Sequence, residues 1–62
     1  MMEKMVSDRI REIRAKLELT QAAMADEFSI PKRTIEEWER GSRKPPEYVV
    51  LLLERIAGIS GK

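Results

Sequence analysis

Apolar residues recur every three or four positions in four successive runs of the chain, and no stretch alternates apolar with polar at a period of two. A period near 3.6 marks helices with one buried face. The pattern predicts an all-α domain of four helices. The first, "SDRIREIRAKLEL", carries Ile10, Ile13 and Leu17 on one stripe, with Ser7 as N-cap, Asp8 in the first turn and an end near Glu18. Arg14 lies beside that stripe, which is unusual for a cation. Arg9 and Arg11 are expected in solvent.

Thr20 caps a second helix, "QAAMADEF", in which Met24 and Phe28 face the core and Ala22, Ala23 and Ala25 permit close approach. A residue before proline is pushed out of the helical region, so Ile30 is extended, and Pro31 suits the start of a third helix. That helix, "PKRTIEEWER", turns Ile35 and Trp38 inward and ends at Gly41. Pro45 and Pro46 precede a fourth, "EYVVLLLERIA", with Val49, Leu52, Leu53 and Ile56 as its core stripe. Tyr48, Val50 and Leu51 are apolar too, so this helix is expected to offer a partner surface. Residues 1–6 read as a flexible N-terminus, 7–57 as the folded domain and 58–62 as a loose tail.

A chain of 62 residues makes one small domain, and a core of that size buries only about 60% of the surface its unfolded chain exposes. There is no Cys and no His. Disulfides, thiolate or imidazole metal sites and the commonest general base near neutral pH are thereby excluded. The chain is also too short for a deep pocket that would tune its carboxylates. Neither an enzyme nor a cofactor is expected. Net charge is +1 although 37% of residues are charged, so the placement of charge matters more than its sum. No apolar run reaches the roughly 18–20 residues that span a bilayer, and "MMEKMV" lacks the apolar centre of a signal peptide. A cytoplasmic protein with no membrane partner is expected.

The stretch "TQAAMADEFSIPKRTIEEWERG" brings these readings together. Two helices joined by a three- to four-residue turn make a helix-turn-helix, whose second helix enters the major groove of DNA while the first crosses the backbone. Thr20 and Gln21 begin the bracing helix and suit phosphate contact. Lys32, Arg33, Glu36 and Glu37 fall away from the face of Ile35 and Trp38. Arg and Lys read guanine, and Glu accepts from cytosine N4. Glu36 is otherwise expected in solvent or paired with Arg40. Arg40, Arg43 and Lys44 follow as candidate backbone contacts that would make affinity salt-dependent.

The ordered set Arg14, Leu19-Thr20-Gln21, Met24-Ala25, Ser29, Ile30, Pro31, Ile35, Trp38-Glu39, Gly41 and Pro45 resembles the Cro and phage-repressor type of helix-turn-helix, also called the xenobiotic response element family. The likeness covers residues 7 to 56. It implies a compact four-helix, lambda-repressor-like fold and a regulator that binds double-stranded DNA, most simply a repressor on a palindromic operator. It implies an ion pair between Arg14 and Glu39. It carries base contact to Lys32, Arg33 and Glu37, with Pro31 at the groove edge, and backbone contact to Thr20, Gln21, Thr34, Arg40, Arg43 and Lys44. The chain departs from the pattern at Ser29, where Gly is usual, and at Pro31, which replaces a Ser or Thr cap. Longer relatives add further modules after the last helix, so no small-molecule inducer is expected here. A homodimer through Tyr48, Leu51, Leu52 and Arg55 is the expected assembly. The alternative is a protein-interaction module that uses the apolar last helix and binds no DNA.

Overall fold

In the computed structural model, which describes residues 5–59, the first helix, α1 (Val6–Leu17), starts two residues before the point that a Ser7 cap implies. Met5 is the N-cap and offers no side-chain cap, while Ser7 lies inside the first turn. Val6 packs against the core. A side-chain cap contributes about 1 kcal/mol, and burial of most of a valine contributes about as much or more, so packing extends the helix past Ser7. Three helices follow: α2 (Gln21–Phe28), α3 (Lys32–Arg40) and α4 (Glu47–Ala57). There is no strand among the described residues.

All four helices end in the same way. A residue in the left-handed conformation closes each one: Glu18 at φ 57°, Ser29 at 56°, Gly41 at 86° and Gly58 at 79°. The next N–H then reaches back five residues, from Leu19 to the carbonyl of Arg14, Ile30 to Ala25, Ser42 to Glu37 and Ile59 to Glu54. This motif normally seats an apolar residue just past the cap. Leu19, Ile30 and Ile59 do so, each packing on the core. Ser42 is the exception and stays exposed. Gly41 and Gly58 adopt this conformation freely, whereas it costs Glu18 and Ser29 about 1–2 kcal/mol each.

Ile10, Ile13, Met24, Ile35 and Val50 are fully buried, and Trp38 and Leu53 complete the core. α1 packs against both α3 and α4, and α2 packs against α3. The expected core stripe of α4 is corrected. Val50 and Leu53 are buried and Val49 partly so, but Leu52 is 52% exposed and Ile56 58%. Apolar residues surround this helix, so they cannot choose its inner face. Glu54 chooses it. Its carboxylate is buried and takes a two-pronged contact from Arg9 of α1, Nε at 2.8 Å and Nη2 at 2.9 Å. Arg9 also reaches Glu47 at 3.3 Å. Meeting Arg9 turns Leu52 and Ile56 outward beside Tyr48 and Leu51. Val6 and Ile59, assigned from the sequence to the terminal segments, both pack on the core; the rest of those expectations, for residues 1–4 and 60–62, lies outside the described residues.

Candidate nucleic-acid interface

The two central helices meet across Ser29, Ile30 and Pro31. Thr20 starts α2 with an extended backbone, and its Oγ1 accepts the N–H of Ala23 at 3.0 Å. The N–H groups of Gln21 and Ala22, in the first turn, have no partner within the helix. Ile30 packs inward and fixes the turn. Pro31 is the N-cap of α3 without a side-chain cap, and its carbonyl accepts from Thr34 at 2.9 Å and Ile35 at 3.2 Å.

One carboxylate sets how α3 lies on the rest. Glu39, 5% exposed, receives Arg14 Nε at 2.7 Å and Nη2 at 3.1 Å, and the amide of Gln21 at 3.1 Å. Arg14 also donates to the Leu19 carbonyl at 3.2 Å. Arg11 donates to the Glu39 carbonyl and pairs with Asp8 at 2.9 Å. α1, the start of α2 and the end of α3 thus converge on one residue. Burial opposes charge on Glu39, but the hydrogen bonds from Arg14 and Gln21 and the charges of Arg14 and Arg11 outweigh it and hold the carboxyl below its ordinary range. The guanidinium of Arg14 is raised in return by its hydrogen bond to Glu39.

This corrects one expectation. Arg9, half-buried, is tied to α4 rather than solvated, whereas Arg11 stays exposed while it reaches α3. The sequence signal for Arg9 was Glu54, a carboxylate in an otherwise greasy helix, which requires a cation opposite it. Gln21 donates one amide hydrogen to Glu39, and its backbone N–H stands without an intrahelical partner at the helix start.

The opposite side of α3 carries none of this. Lys32, Arg33, Arg40, Arg43 and Lys44 are all exposed, five cations against the two carboxylates Glu36 and Glu37. Thr34 sits at the edge, half-buried. Glu36 pairs with Lys32 at 3.6 Å rather than with Arg40. Glu37 lies between two arginines, Arg33 Nε at 3.8 Å from one oxygen and Arg43 Nε at 3.5 Å from the other. Its backbone carbonyl also accepts the N–H groups of Gly41 at 3.0 Å, Ser42 at 3.1 Å and Arg43 at 3.4 Å. That gathering folds the basic loop back against α3, so loop and helix present one cationic surface. Such a surface attracts phosphate, and α3 is short enough to lie in a major groove.

A family model described as helix-turn-helix matches residues 10–61. No curated protein and no solved structure matches the chain significantly. Among the described residues, no helix is long and apolar enough to cross a membrane.

Proposed function

The chain belongs to the helix-turn-helix family, in its Cro and repressor type, and on that premise we propose that it is a sequence-specific DNA-binding repressor that acts in the cytoplasm as a symmetric dimer. The observation that carries the proposal is the division of α3 into a wholly structural inner face and a cationic outer face. Arg33 and Lys32 read base edges at the start of α3, with Glu37 beside them and Pro31 at the groove edge. Thr20 donates its hydroxyl hydrogen to a phosphate, and the N–H of Gln21 adds a second contact. Thr34, Arg40, Arg43 and Lys44 hold the backbone and set the register.

The outer face of α4 supports the dimer. Tyr48 is 68% exposed, Leu51 44% and Leu52 52%, with Arg55 among them. A monomer of this size gains nothing from such a row, and a second copy can cover it. Two recognition helices would then sit one turn of DNA apart, about 34 Å, on a palindromic operator whose occupation excludes polymerase.

Selection of bound sequences from a random duplex pool tests this. An enriched palindrome with half-sites about 10–10.5 bp apart supports the dimeric reader. Arg33→Ala in that background should weaken operator binding at least tenfold, as expected for a base contact worth about 1–3 kcal/mol. No enrichment and no binding at low salt would reject DNA as the ligand and leave the α4 face as a docking site for another protein.

A further inference from the structure

Glu37 is out of place on a surface that meets phosphates. A carboxylate there repels DNA unless it is satisfied by something else. In the structure its charge is met twice by ion pairs, with Arg33 at 3.8 Å from one oxygen and Arg43 at 3.5 Å from the other. Its own backbone carbonyl brings Arg43 within reach, because the turn from Gly41 to Arg43 closes on that atom. Arg33 arrives from one helical turn earlier on the same face. Both guanidinium groups approach most closely through Nε, which leaves their terminal nitrogens available for outward contacts.

We propose that Glu37 is a built-in substitute for phosphate, a positioning residue that holds Arg33 and Arg43 so that the protein discriminates among sequences instead of gripping any duplex. The inference rests on the DNA-binding reading above. On a random duplex the two arginines can serve phosphates only by leaving Glu37, so non-specific affinity is held down. On the operator Arg33 reaches a guanine edge with its terminal nitrogens while Nε keeps its carboxylate partner, so the pair survives binding and orients the side chain.

The test uses the full chain and Glu37→Gln, which keeps the side-chain size and the backbone carbonyl. Binding to the selected operator and to a random-sequence duplex is measured between about 50 and 200 mM salt. The variant should bind the random duplex threefold to tenfold more tightly. Its log K against log salt should steepen by about 0.9, the increment for one further phosphate contact. The ratio of operator to random affinity should fall about tenfold. Arg43→Gln should weaken random-duplex binding more in the Glu37→Gln background than in the wild type, because only there is Arg43 released. Unchanged salt slope and unchanged ratio would overturn the proposal. So would a loss confined to one cytosine of the operator with random binding unaltered, since that outcome makes Glu37 a direct base reader. A wild-type chain that binds neither duplex would instead reject the DNA-binding reading itself, and this inference with it.

Discussion

Glu39→Gln isolates the charge at the junction of three helices. The variant keeps the shape of the side chain and can still accept from Gln21, but it leaves the Arg14 guanidinium without a counter-charge. Breaking a fully buried pair from one side costs about 3–5 kcal/mol. Arg14 keeps 28% of its side-chain surface in solvent against 7% for Glu39, so water recovers part of that loss, and about 2–3 kcal/mol is expected. A domain of 62 residues has a total stability of about 3–9 kcal/mol, so the variant should be near the edge of folding. Urea denaturation followed by Trp38 fluorescence suits the question, because Trp38 is the one tryptophan and is buried beside Glu39. With a slope near 1 kcal/mol per molar urea, the midpoint should fall by about 2–3 M. A fall below about 0.5 M would refute the reasoning. The same carboxylate predicts a pH dependence. Its pKa is lower folded than unfolded, so its contribution is complete above the ordinary value of 4.5 and is lost as pH falls through the lowered folded value. The acid limb of stability against pH should therefore be steeper in the wild type than in Glu39→Gln.

Ser29→Gly should stabilise the domain by about 0.5–1 kcal/mol, because it relieves a left-handed residue whose side chain is exposed; thermal unfolding by circular dichroism should show a rise of a few degrees. Arg9→Ala should cost about 2–3 kcal/mol, since it removes a two-pronged cationic partner from the buried carboxylate of Glu54; a urea midpoint within error of the wild type would show that the Arg9 contact contributes little to stability. Leu52→Asp should spare the monomer's core, because the side chain is already 52% exposed, yet should shift sedimentation to the monomer, remove the concentration dependence of the urea midpoint and weaken operator binding if α4 is the dimer seam.

The four helices were legible because punctuation surrounds them. Pro31, Pro45 and Pro46 prevent read-through, and Gly41 and Gly58 supply the left-handed ends. The start of α1 was misread because Ser7 is a good cap by type, while the contact of Val6 with the core acts at a distance along the chain that no local rule sees. The rotation of α4 was not legible from its apolar residues, since nearly every position qualifies. The carboxylate at Glu54 held that information, but only with Arg9, 45 residues away. Arg14 stood out by its place beside an apolar stripe. Nothing in spacing alone could name its partner 25 residues later. The outer face of α3 was legible as cationic, whereas the place of Glu37 between Arg33 and Arg43 depends on the fold of a loop whose carbonyl contacts leave no sequence period.

The division of α3 has an evolutionary consequence. Ile35, Trp38 and Glu39 make the buried contacts of the helix, whereas Lys32, Arg33 and Glu36 make ion pairs along its own surface. Under the proposed function, substitutions at Lys32 and Arg33 would change which sequence the surface prefers without endangering the frame. A lineage of such chains could then drift from one DNA sequence to another through fully folded intermediates, while a change at Glu39 would have to be met by changes at Arg14 and Gln21. The helix is free to innovate on one side only because it is frozen on the other.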